Sequence, residues 1–193
     1  MLLLACVWMV SCTKSNNGIA IVAANLDNLP TIHGEKISSL ISDSGITRYR
    51  LETAVWDIYS DETNPYWYFP QGAYIEKFDS LFHVDGFVRA DTVYFFEKTD
   101  LWRLIGNVLI QNMNGETFET SELFWRQKEP EGSLNAIYTD SLVKITTSNG
   151  ISTSQGIRSN QSMTSHVLYQ HSYITDMEEE EVKNDTISPA MKP

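Results

Sequence analysis

Three times along the chain, an eight-residue frame carries apolar or small side chains at its positions 1, 3, 6 and 8: Tyr49, Leu51, Ala54 and Trp56, then Val88, Ala90, Val93 and Phe95, then Phe118, Thr120, Leu123 and Trp125. A regular strand repeats every second residue, so one face would fall on alternate positions throughout. The additional residue in the middle of each frame predicts a β-bulge, which shifts register, bends the strand and increases its twist. Bends repeated at matching places favour a curved, rolled sheet over a flat one. The simplest reading of the inward residues is sandwich core.

The rest of the chain agrees with this pattern. From Thr31 to Tyr173 it is a series of short runs rich in Val, Ile, Thr, Tyr, Phe and Trp, separated by turn signals such as Asp43-Ser44-Gly45, Asn114-Gly115 and Asn149-Gly150. Both Asn-Gly pairs predict tight hairpin turns, because Asn and Gly tolerate the positive φ such turns demand. No stretch sustains helical periodicity. Val108-Leu109-Ile110 followed by Asn114-Gly115 recurs 35 residues later as Val143-Lys144-Ile145 followed by Asn149-Gly150, so a strand and its turn are reused. The expected fold class is all-β, a β-jellyroll or rolled β-sandwich with bulged antiparallel strands.

With 193 residues the chain fits one domain plus tails, enough to bury about two thirds of the surface the unfolded chain would expose. Its formal charge of -11 argues against a nucleic-acid partner, which needs a basic stripe. Much of that charge lies near the end, where Asp176, Glu178, Glu179, Glu180, Glu181 and Asp185 crowd together. The only cysteines are Cys6 and Cys12, so the folded part is expected to hold neither a disulfide nor a cysteine metal site.

Leu2 to Val10 form an apolar run that would span about 14 Å as a helix, roughly half of the ~30 Å hydrocarbon thickness of a bilayer. A membrane-spanning anchor is therefore not expected. Met9-Val10-Ser11-Cys12 followed by Thr13-Lys14-Ser15-Asn16-Asn17 has the pattern of a lipoprotein signal, a small residue before a cysteine that is lipidated and becomes the mature N-terminus. The alternative is a leader cleaved elsewhere. The expected organisation is a signal peptide over 1–11, lipidated Cys12 and a flexible tether over 12–30, the β-domain over 31–173 and an acidic, disordered tail over 174–193.

Chemistry-bearing patterns are sparse. His33, His83, His166 and His171 are scattered and make no metal site alone, and the chain has no His-Glu-x-x-His, no Gly-x-Ser-x-Gly and no Gly-rich phosphate loop. Pairs such as Glu76 with Asp79, or Glu97 with Asp100, could flank a sugar bond as in a glycosidase, but among 25 acidic residues such pairs arise by chance. No enzymatic activity, cofactor or metal is expected.

Four segments carry a family resemblance: Trp67-Tyr68-Phe69-Pro70-Gln71-Gly72-Ala73-Tyr74-Ile75-Glu76-Lys77-Phe78-Asp79, Ala90-Asp91-Thr92-Val93-Tyr94-Phe95, Leu101-Trp102-Arg103-Leu104-Ile105-Gly106-Asn107-Val108, and Gly115-Glu116-Thr117-Phe118-Glu119-Thr120-Ser121-Glu122-Leu123-Phe124-Trp125. From about Gly45 to Gln170 the chain resembles the LptC family, the periplasmic component of the lipopolysaccharide export ABC transporter, within the OstA-like β-jellyroll superfamily. The resemblance implies a non-enzymatic subunit in the periplasm, anchored to the inner membrane by an N-terminal lipid. Such a subunit receives lipopolysaccharide from the inner-membrane transporter, holds its acyl chains inside the jelly roll and passes it to an LptA-like bridge protein.

The lipid-contact residues expected from the repeated inward positions are Ala54, Trp56, Val93, Phe95, Val108, Ile110, Leu123, Trp125, Val143 and Ile145, with some of them plain core. By the same resemblance, an early strand around Ile37 to Ile41 docks the transporter. A late strand over Val167 to Tyr173, including Leu168 and Tyr169, docks the bridge protein by adding strands edge to edge. Two other functions fit the residues: an LptA-like bridge or other OstA-like subunit without lipidation, and a secreted sugar-binding or sugar-cleaving β-sandwich lipoprotein showing exposed aromatics beside paired carboxylates.

Overall fold

The β-branched and aromatic runs between turn signals become strands. A computed structural model of the chain describes residues 29–43, 45–60 and 63–174, and among these it has twelve strands and no helix. The expected leader, Cys6, Cys12, most of the tether and all of the acidic tail but Ile174 lie outside the described residues.

Every pairing is antiparallel, and successive long hairpins make one sheet. β1 (Ile32–Asp43) runs along the whole of β2 (Ile46–Tyr59). The other edge of β2 meets two partners in turn, β3 (Tyr66–Phe69) over Asp57–Tyr59 and β4 (Ala73–Phe78) over Tyr49–Glu52. β3 and β4 are therefore one bent strand, interrupted over 70–72. In the same way β5 (Val84–Ala90) and β6 (Thr92–Phe96), interrupted at Asp91, lie along one edge of β7 (Leu101–Gln111). β8 (Thr117–Arg126), β9 (Ile137–Thr147) and β10 (Gly150–Ser159) follow, and β11 (His166–Leu168) and β12 (Ser172–Ile174) share the far edge of β10.

The interruptions lie side by side and form a crease across the sheet. Thr53 Oγ1 donates to Gly72 O at 2.7 Å, Asp91 N–H to Gly106 O at 3.0 Å, Thr120 Oγ1 to Leu142 O at 2.9 Å, and Tyr169 N–H to Gly156 O at 3.3 Å. Register shifts fall on the same line, between Ile105 and Val108, Thr120 and Phe124, and Gln155 and Ile157. Two glycines there are required by conformation and by space. Gly72 has φ +82 and Gly106 φ +78, and a Cβ would lie 2.4 Å from Ala90 O at the first and 2.8 Å from Asp91 Oδ2 at the second.

The crease folds the sheet into two leaves facing each other, a jellyroll-like sandwich. One inner row of directly opposed residues, Leu51, Ile75, Val88, Ile110, Phe118 and Ile145, lines the first leaf. A second row, Trp67, Phe95, Trp102, Trp125 and Ile137, lines the other. The first three ring-to-ring steps of that second row are 4.8, 4.6 and 5.7 Å, distances at which aromatic pairs attract beyond their buried area. Contact between the leaves is direct, since the Tyr49 and Trp125 rings meet edge to face at 5.4 Å.

The bulged frame holds fully in β8, where Phe118, Thr120, Leu123 and Trp125 are all buried. In the first frame the inward position shifts by one: Thr53 is buried and Ala54 is exposed, because the hydroxyl of Thr53 bonds across the crease to Gly72. The turns differ in detail from the expectation of positive φ at both Asn and Gly. In the β7–β8 turn only Gly115 takes it (φ +78), after a turn closed by Gly115 N–H to Asn112 O at 3.0 Å. In β9–β10, Gly150 already pairs with Thr147, so the turn centres on Ser148 and Asn149.

Candidate ligand slot between the two leaves

Between the leaves a cavity of about 60 Å³ remains, lined by Ile75, Val88 and Ile110 of the first leaf and Leu104, Leu123 and Trp125 of the second. Its walls are almost wholly apolar, because these are the inward positions on either side of the crease. Beyond it lies a vestibule of about 720 Å³ that shares Tyr49, Lys77 and Gln161 with the slot and adds Arg48, Lys128, Asp100, Glu129 and Glu131. Lys77 Nζ is 2.9 Å from Asp85, and Lys128 Nζ 2.9 Å from Asp100. A greasy slot thus opens through a charged mouth.

The expected lipid-contact residues divide by position. Ile110, Leu123 and Trp125 line the slot. Val93, Phe95, Val108, Val143 and Ile145 are buried in the packed core, Trp56 is partly buried against it, and Ala54 is exposed. The Trp56 indole N–H is buried with no acceptor among the described residues, whereas those of Trp102 and Trp125 donate to Gln127 and Gln161. Residues of the slot that the frames do not name include Leu104, Ile137 and Met163. Leu104 could be found by strand alternation from Trp102, but Met163 lies in a polar stretch whose only signal is one isolated methionine.

At the edges, Ile37 and Ile41 are half-buried in β1, which among the described residues pairs with β2 alone. The late strand expected over Val167 to Tyr173 is two strands, β11 and β12, broken at the crease where Gln170 has φ +46. Val167 and Tyr169 are exposed, and Leu168 packs against the core.

The two outer faces differ in chemistry. The outer face of the first leaf carries charged pairs: the buried Glu76 receives Arg50 and the Tyr74 hydroxyl, and the more exposed Lys144 meets Glu119 at 2.9 Å. The second leaf carries an in-register row of Asp57, Tyr68, Tyr94, Arg103, Phe124, Tyr138 and Arg158. Burial first, and then its bond with Tyr68, pushes the Tyr94 phenol above its ordinary range. His33 extends the row, bonded to Asp57 at 2.5 Å, and that bond, followed by one to Glu35, raises its pKa.

The carboxylate pairs singled out as glycosidase-like are each engaged elsewhere: Asp79 accepts the amides of Leu81 and His83, Glu97 the Trp67 indole, and Asp100 pairs with Lys128. Among the described residues no group of three or more His, Cys, Asp or Glu is placed to hold a metal ion, and no helix is long and apolar enough to cross a membrane. No protein-family model matches the chain, and no curated protein matches it.

Proposed function

We propose that this chain is a non-enzymatic lipopolysaccharide-binding and transfer subunit, tethered to the periplasmic face of the inner membrane through a lipid on Cys12. It receives lipopolysaccharide from an inner-membrane ABC transporter, shelters acyl chain between its leaves and passes the lipid to an LptA-like bridge protein. The observation that carries this reading is the creased sheet itself, two leaves joined along one side and enclosing an apolar slot that opens into a charged mouth.

The physical need for such a slot is plain, because each methylene exposed to water costs about 0.8 kcal/mol. The mouth suits the polar end of an amphiphile, carrying Arg48, Lys77 and Lys128 beside Asp100, Glu129 and Glu131. The outer edge of β1 carries no partner strand among the described residues, nor do those of β11 and β12, so each can extend the sheet into a neighbour. Direction comes from hydrolysis in the transporter, while successive carriers hold the lipid with similar strength.

The test is a photo-crosslinking amino acid at Ile110, which lines the slot, and at Asn114 in the exposed hairpin turn, each in the full chain in cells exporting lipopolysaccharide. Capture of lipopolysaccharide at Ile110 and not at Asn114, with co-purification of the transporter subunits, is expected. Equal capture at both overturns the reading.

One observation favours a sugar-binding sandwich as a second reading. The outer face of the second leaf carries Tyr59 stacked on Tyr66 and Tyr68 on Tyr94, both at 4.7 Å. These rings cover each other's faces and present edges outward, which suits sugar stacking less well. Binding of soluble oligosaccharides to the full chain, lost on Tyr94→Ala, would favour it. An LptA-like bridge subunit remains the closest variant of the first reading, distinguished by the absence of membrane attachment.

A further inference from the structure

The slot is partly covered by the chain itself. After β10, residues 160–165 turn back toward β11, with Gln161, Ser162 and Met163 lining the slot and Gln161 also bordering the vestibule, and they touch the first leaf at two places before β11 begins. Lys77 of β4 donates from Nζ to Ser162 Oγ at 2.5 Å, and Asn112, at the β7–β8 turn, donates from Nδ2 to Met163 O at 3.1 Å. On the second leaf, Gln161 Oε1 accepts the Trp125 indole N–H at 2.6 Å, and its Nε2 donates to the carbonyls of Arg126, Gln127 and Glu129 at 2.9, 3.2 and 3.1 Å. Between these polar anchors Met163 turns inward and lines the slot, 2% exposed, while Thr164 and Ser165 are exposed.

We propose that this segment is a strap that gates the slot, with Met163 standing where a ligand's apolar chain would lie until that chain displaces it. The inference rests on the reading of the slot as an acyl-chain site. With the strap in place the cavity of about 60 Å³ has the space of roughly two water molecules, too little for an acyl chain. Lifting the strap costs polar bonds, each of which water can replace, and the apolar burial of one side chain, which an acyl chain can replace. Methionine suits that exchange, being unbranched and adaptable in irregular gaps. Its backbone is strained in the closed position, with φ +55, a region that side-chain-bearing residues seldom occupy. Lys77 is also held by Asp85 at 2.9 Å, so it stays at the mouth when Ser162 leaves and faces the incoming headgroup. Ligand and Met163 compete for one space, so the ligand draws the population toward the open strap.

The test uses the full chain in phospholipid vesicles, exposed to a diazirine-bearing palmitate and irradiated, with adducts located by mass spectrometry. Gln161→Ala removes the largest latch, Met163→Ala the plug, Ser162→Ala a single anchor, and Thr164→Ala an exposed strap residue. Near-ultraviolet circular dichroism of the inner tryptophans checks that each variant is folded. Adducts at Ile110 and Leu123 are expected to rise about threefold or more with Gln161→Ala and Met163→Ala, to rise less with Ser162→Ala, and to stay level with Thr164→Ala. Labelling of the slot in the parent that none of the variants changes overturns the gate while leaving the acyl-chain site standing. No labelling of the slot in the parent or any variant overturns both. Should the first two variants fail to fold, Ser162→Ala alone decides, a rise supporting the gate and no change overturning it.

Discussion

At Gly72 the backbone takes φ +82 and passes so close to the next strand that a Cβ would lie 2.4 Å from Ala90 O. Two costs then meet at one residue, the left-handed conformation and a clash with backbone that cannot swing aside. Gly72→Ala is expected to destabilise the fold by about 2 to 4 kcal/mol, read from chemical denaturation. Gly132→Ala, where nothing lies within 4 Å, is the control, and its effect should stay within about 0.5 kcal/mol. Equal losses at the two sites would remove the crease as the explanation. Individual residues were legible in the sequence where a local pattern constrains them. Leu123 and Trp125 follow from the bulged frame, since side-chain alternation and one extra residue are facts of the strand alone. Ala54 shows where that logic ends: its orientation was decided by Thr53, whose hydroxyl finds Gly72 O 19 residues away in the chain.

The hairpins show the same division at the scale of elements. Strand and turn segments were legible because β-branched runs and Asn-Gly pairs act locally. That β3 and β4, or β5 and β6, are halves of single bent strands became visible only through their shared partners β2 and β7. The β1–β2 ribbon also carries a pH-dependent tie. His33 Nδ1 meets Asp57 Oδ1 at 2.5 Å and Nε2 meets Glu35 at 3.5 Å, and the bond to Asp57 leads in raising the His33 pKa above 6.5. A group whose pKa is raised by folding stabilises the fold while protonated. Its contribution is complete below the unfolded value near 6.5 and is lost as pH rises through the higher folded value. The melting temperature of the parent should therefore exceed that of His33→Gln most at acidic pH, and the difference should fade above neutrality. An NMR titration placing the His33 midpoint at or below 6.5 would contradict this.

For the whole molecule, the jellyroll-like sandwich was legible in the sequence because the bulges recur at matching places and must fold the sheet along one line. The strap was not, since its closure depends on Lys77, Asn112 and Gln161 meeting across the fold from segments with no common pattern. The edges lie between these cases: β1 and β11 follow from chain order, but the break that divides β11 from β12 belongs to the crease. That break bears on how the far edge can dock a partner. Tyr169 turns both backbone groups toward β10, its N–H to Gly156 O at 3.3 Å and its C=O accepting from Gln155 N–H at 2.8 Å. In an antiparallel ladder neighbouring residues alternate, so the N–H and C=O of Leu168 point away from β10, toward any strand that joins the edge. A proline at 168 would remove that outward donor and leave the bonds of Tyr169 in place. The cost to the fold is the lost packing of the Leu168 side chain against the core, about 1 to 2 kcal/mol. On the proposed function, Leu168→Pro is accordingly expected to give a folded chain that still pellets with membranes and co-purifies with the inner-membrane transporter but no longer retains the periplasmic bridge protein. Val167→Ala, which trims an exposed side chain and keeps every backbone donor, should retain it. Retention of the bridge protein by the proline variant at the parental level would mean that the docking edge lies elsewhere on the sandwich.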